Sequence, residues 1–152
     1  MKRLAYLLAG VVQGVILLAA SSASSQPDAS SKIVKLSFDT LKQWTYVQGK
    51  TPIPDFIKKL DGVYVEMTGF MISPNSSDNI SDFVLAPTLW GCCYGQPPAV
   101  NHVVLVKMSR GRETEYYEKA IRVRGRFHVG EERIDDCVVS LYRLDADDVA
   151  LK

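Results

Sequence analysis

Three cysteines and two histidines hold the soft-ligand and nucleophilic chemistry of this 152-residue chain. Cys92 and Cys93 are adjacent within Gly91-Cys92-Cys93-Tyr94-Gly95-Gln96-Pro97-Pro98, and the glycines and prolines around them make this stretch a loop. In a loop the two thiols are not forced onto opposite faces, as they would be in a strand. Successive Cα atoms lie about 3.8 Å apart across a trans peptide, below the usual disulfide span, so the pair should not bridge itself without strain. Cys137 is the third cysteine. Three readings stay open. One of the loop pair, taken as Cys93, bonds to Cys137 in a structural disulfide and leaves one thiol free. Alternatively, Cys92, Cys93, His102 and Cys137 hold zinc or copper(I) through thiolate and imidazole, although this spacing is not an established zinc-ribbon pattern. In the third, a free thiol exchanges with a disulfide, without a Cys-x-x-Cys motif to support it.

Catalytic signatures are sparse. The chain has no Gly-x-Ser-x-Gly elbow, no His-Glu-x-x-His and no phosphate-binding glycine loop ahead of a helix. A dyad of Cys92 or Cys93 with His102 lacks a third group to orient it, so a binding role is expected over an enzymatic one. Arg122, Arg124, Arg126 and His128 recur at every second position and would form a basic stripe on one strand face. Such a stripe could grip a phosphate, a lipid head group or an acidic partner. It could equally be a solvated face neutralised by acids such as Glu131 and Glu132.

The elements that must position these residues begin after a targeting segment. Lys2 and Arg3 precede a run from Leu4 to Ala20 that is apolar apart from Gln13, and Ser21 and Ala23 offer small residues for cleavage. Residues 1–23 therefore read as a signal peptide, 24–31 as a flexible Ser- and Pro-containing lead-in, and 32–152 as one domain. A periplasmic or secreted protein with no stable membrane span after cleavage is expected. The full chain carries 18 Lys and Arg against 17 Asp and Glu; loss of Lys2 and Arg3 leaves a formal charge of −1. That balance gives no general attraction to nucleic acid.

Within the domain, Ile33 to Phe38 alternates as a short strand, and Asp39 is expected to cap a turn or helix carrying Leu41 and Trp44. Pro54 and Gly62 bracket a second short helix. Val63, Val65 and Met67 alternate with polar residues, Gly69 marks a bend, and Phe83 to Ala86 and Val103 to Val106 are short apolar runs. Ile121, Val123, Phe127 and Val129 alternate with the basic stripe, with a bend at Gly125, and Val138 to Leu144 supplies the last strand. The expected fold is mainly β: a small, OB-like, partly open five-stranded barrel with one or two short helices.

Several motifs occur in order. Phe38-Asp39-x-Leu41-x-x-Trp44 and Asp61-Gly62 precede Gly69-Phe70-Met71-Ile72-x-Pro74 and Phe83-Val84-Leu85-x-Pro87. Cys92-Cys93-x-Gly95-x-Pro97-Pro98 follows with Asn101, then Val123-x-Gly125 and Leu141-Tyr142-x-Leu144-x-Ala146. Together they resemble a family of exported bacterial proteins classed as a domain of unknown function, over nearly all of the mature chain. The resemblance implies an OB-like periplasmic domain, often encoded near transporter components and in some members connected with metal uptake. A protein partner in the cell envelope, such as a transporter component, is the partner it implies. It supplies no catalytic residues, and this chain has neither a lipobox nor a His-rich tract.

Overall fold

The computed structural model describes residues 33–73, 78–89 and 98–152; the expected signal peptide, the lead-in and both loop cysteines lie outside them. Six strands and two short helices succeed one another in the order β1 (Val34–Lys35), α1 (Phe38–Leu41), α2 (Asp55–Lys58), β2 (Tyr64–Ile72), β3 (Asp82–Ala86), β4 (Val104–Met108), β5 (Ile121–Ile134) and β6 (Cys137–Leu151). The sheet order is β1-β2-β3-β4-β6-β5, and β2 also pairs with β5. That pairing closes a ring, irregular as a barrel, in which β2 to β6 follow the Greek-key circuit of an OB-like fold.

β2 is the strand on which closure turns. Along one edge Tyr64 to Gly69 pair with Arg126 to Ile121, and along the other Phe70 to Ile72 pair with Ala86 to Val84. The lower part of that second edge is left over by β3, and β1 fills it in parallel, Val34 beside Val65 and Lys35 beside Glu66. The chain then folds inward. Ser37 caps α1 by accepting a hydrogen bond from the Thr40 amide at 3.3 Å, and Phe38 and Leu41, three residues apart, are both buried. In α2 Pro54 presets the first turn and Ile57 is fully buried. Leu41 and Ile57 join Met67, Phe83, Phe127, Tyr142 and Leu144 in one core, where the rings of Phe127 and Tyr142 stack at 5.5 Å.

The expected elements are present with different limits. Ser37, and not Asp39, caps the first helix, because its hydroxyl lies ahead of the first turn. Gly69 lies inside an unbroken β2: a Cβ there would sit 2.7 Å from the Ala86 carbonyl and 2.9 Å from the Phe38 ring, so the glycine serves close packing. Gly125 does mark an irregularity, a register shift between Arg124 and Gly125 where β5 presses on β6. The largest difference is the last hairpin. β5 runs on to Ile134 and β6 starts at Cys137, joined through Asp135 and Asp136 with φ of 47° and 65°. Two consecutive left-handed residues make the primed turn that suits the twist of a two-residue hairpin.

Gly125→Ala should cost about 1–3 kcal/mol, because its Cβ would lie 2.8 Å from the Ala146 Cα and overlap the Asp145 carbonyl. Gly130→Ala, with nothing within 4 Å of its Cβ, should stay within about 0.5 kcal/mol. Urea unfolding of the two variants measures the contrast.

Candidate functional site

The connection from β3 to β4 leaves the sheet after Ala86 and returns through Pro98 to Val103 at the end of the ring where β4 begins. Its return is tied down firmly. The Leu141 amide donates to the Val100 carbonyl at 3.1 Å, and Ser140 Oγ donates to the Val103 carbonyl at 2.9 Å. Asn101, almost fully buried, donates through Nδ2 to the Trp44 carbonyl at 2.7 Å, and Trp44 Nε1 donates to Tyr142 Oη at 3.1 Å. Trp44 stands edge-on to Tyr46 at 5.9 Å, and Tyr46 Oη donates to Glu131 Oε1 at 2.6 Å. One run of contacts thus joins the loop return, the segment after α1 and the β5–β6 hairpin.

His102 sits half-buried in this return, its amide donating to the Ala99 carbonyl at 2.7 Å. Burial, and then the nearby Lys42 ammonium, hold its imidazole below the ordinary histidine range and favour the neutral form. Cys137 is exposed opposite Ile134 at the hairpin end. No group of three or more His, Cys, Asp or Glu among the described residues is placed to hold a metal ion. Cys92 and Cys93, the other half of the expected ligand set and of the Cys93–Cys137 alternative, lie outside the described residues.

The basic stripe lies on the outer face of β5 with acids from both neighbouring strands. Arg124 Nε donates to Glu66 Oε2 at 2.7 Å, and Arg122 Nη2 meets Asp148 Oδ2 at 3.1 Å. Arg126 Nη1 donates to the Gly62 carbonyl at 2.8 Å. His128 stands between carboxylates, Nδ1 3.8 Å from Asp61 and Nε2 3.0 Å from Asp145, the latter off the line of a hydrogen bond. The hydrogen bond from Arg124 holds the Glu66 carboxyl below its usual range against a smaller opposing effect of burial. Glu131 and Glu132 pair instead with Arg133 and Arg143. An anionic ligand at this stripe would compete with these carboxylates for the same donors.

At the opposite end of the ring an open, polar groove of about 590 Å³ is lined by Asp78, Asn79, Glu113, Glu115 and Tyr117. The segment around Tyr116 and Tyr117 carries no helix. Trp44, Asn101 and Tyr142 were visible in the motif pattern, but their convergence was not: 98 residues separate Trp44 from Tyr142 and 57 separate it from Asn101. Tyr46 and Ser140 gave no signal beyond being polar residues beside apolar runs.

Burial pushes the Tyr142 hydroxyl up to about 12, against a smaller lowering by the Trp44 hydrogen bond. Between pH 10 and 12 the unfolded chain ionises this phenol while the folded chain keeps it neutral. Stability is therefore intact below pH 10 and falls as pH rises toward 12, at about 1.4 kcal/mol per unit at most from this group. Urea titrations across that window should show a shallower decline for Tyr142→Phe. On the outer face, Arg124→Ala, which severs β5 from Glu66, should lower the urea midpoint more than Arg126→Ala, which loses one carbonyl contact.

Comparison with curated proteins gives no match. Among solved structures, a crystal structure of a DUF3299 family protein from Pseudomonas aeruginosa PAO1 superposes with a TM-score of 0.58 at 21% identity, over 78% of this chain and 95% of that one. At that identity the likeness concerns the fold. The family model described as "Protein of unknown function (DUF3299)" matches residues 17–151, and with nearly the whole chain spanned, this protein belongs to the DUF3299 family.

Proposed function

We propose that the protein is an exported, non-catalytic binding module of the cell envelope, partnering a component such as a transporter. It takes that partner at the ring end served by the β3–β4 connection, where Cys92, Cys93, His102 and Cys137 offer soft donors to zinc or copper(I). The observation that carries this reading is the anchoring of the loop return to β6. Val100 is hydrogen-bonded to Leu141, four residues beyond Cys137, and His102 belongs to the same turn. Cys93 is five residues from Pro98, a reach of at most about 18 Å of extended chain, and Cys137 lies about 13 Å along β6 from Leu141. Chain length therefore permits a loop thiol and Cys137 to meet. A neutral His102 is in the form a metal requires. The Lys2-Arg3 and Leu4 to Ala20 pattern supports export.

A second reading draws on the exposed position of Cys137 at the hairpin end. There a Cys93–Cys137 bridge would fasten the loop to the hairpin, and the protein would be a structural or interaction domain of an envelope assembly. Native and denaturing mass spectrometry of the periplasmic protein, with alkylation before and after reduction, separates the two. Zinc or copper in the native mass, released when Cys92 and Cys93 are alkylated, is the expected result. A bridge to Cys137 without metal replaces it with the structural reading.

A further inference from the structure

Past Phe127, whose amide and carbonyl bond to Val63 and Gly62, β5 leaves β2 behind, and the Val129 amide is taken by the Asp61 carboxylate at 3.0 Å. From Gly130 to Ile134 its outer edge has no strand partner among the described residues, while its inner edge is held by β6 through Glu132, Arg133 and Ile134, with register shifts between Val129 and Glu132 and between Glu132 and Arg133. The Asp135-Asp136 turn closes this two-stranded arm, and Glu131, Arg133 and Ile134 are exposed on it. An open strand edge is a row of backbone donors and acceptors ready to pair, and charge usually guards it. Here the order of charges is complementary to itself.

We propose that the arm is a self-association surface on which two copies pair β5 to β5, antiparallel, about a two-fold axis at Glu132. Antiparallel pairing about one residue matches positions equally far on either side of it. Centred on Glu132, it sets Glu131 of each copy opposite Arg133 of the other. Each register centred on Glu131, Glu132 or Arg133 sets one residue against its own copy, but only the one centred on Glu132 flanks that like pair with two of opposite charge. Glu131 and Arg133 already bond at 2.7 Å along one strand, so pairing completes a square in which every neighbour is of opposite sign. Glu132 is held by Arg143 at 3.0 Å, which offsets the approach of the two Glu132 carboxylates. The same register lays Ile134, 55% exposed, opposite Gly130, where the space for a Cβ is empty. Five residues from each copy make a small interface, below the size of stable complexes, so association is weak and depends on concentration.

Sedimentation velocity of the purified protein with and without reductant, over a range of concentrations, tests the proposal. A reversible monomer–dimer equilibrium is expected, weakened at least tenfold by Glu131→Arg or by Arg133→Glu alone. An equal mixture of the two single variants should recover the dimer, because each supplies the other's missing charge. The double reversal, which restores the pair within its own strand, should self-associate like the original. A protein that stays monomeric at every concentration overturns the proposal, as does association indifferent to either reversal. Failure of the double reversal to associate also overturns it. So does a dimer that vanishes on reduction and in Cys137→Ser, since that linkage runs through the strand away from the pairing edge.

Discussion

The β2–β5 pairing is the constraint on which the rest of the molecule hangs. Without it the strands would form an open, six-stranded sheet with two exposed edges; with it, Tyr64 to Gly69 meet Ile121 to Arg126 and the apolar faces turn inward on one another. Closure demands that β2 serve two partners on one edge, β3 at its end and β1 at its beginning. The chain meets that demand with Gly69, which lets Phe38, Leu85 and the Ala86 carbonyl crowd the point of exchange. Phe38 and Leu41 then fill the interior below β3, so the segment ahead of the ring is part of its core.

Closure also organises the outer surface. Pairing β5 between β2 and β6 sets its arginines between two strands whose outward residues include Glu66, Asp145 and Asp148. The ion pairs of Arg122 and Arg124 cross strand boundaries and are partly exposed, so individually they add little in water. Their collective effect is on register. A slip of one residue would turn the arginines inward and Ile121, Val123 and Phe127 outward, which burial forbids and the cross-strand charges disfavour. Hydrophobic pattern and charge pattern specify the same alignment.

This agreement explains what could be read from sequence. The alternation from Ile121 to Val129 is long and both faces carry a signal, so the strand, its inward face and the bend at Gly125 were legible. Beyond Val129 the residues Glu131, Glu132, Arg133, Asp135 and Asp136 look like a charged loop, because the arm has no buried face to impose a period. Its strand character comes from pairing alone and from a turn of two aspartates with positive φ, a geometry more often signalled by Asn-Gly. Of the candidate site, the thiols and histidines were legible as chemistry. The junction of Trp44, Asn101 and Tyr142 was not, since hydrogen bonds between residues so far apart in sequence leave no periodic trace.

That junction gives the ring two unlike ends. At one, an open groove lies between the β2–β3 connection and the segment after β4, lined mostly by polar side chains. At the other, Trp44 ties the loop return to the ring interior through Asn101 and Tyr142, and Tyr46 carries the connection out to Glu131 on the arm. Buried polar groups with satisfied partners are costly to separate, because each would be left unpaired in a low-dielectric interior. The return is therefore held to the core at Asn101 and Trp44, and the exposed Tyr46–Glu131 hydrogen bond adds a link to the base of the arm. The return of the β3–β4 connection and the arm thus share one foundation in Trp44 and its neighbours.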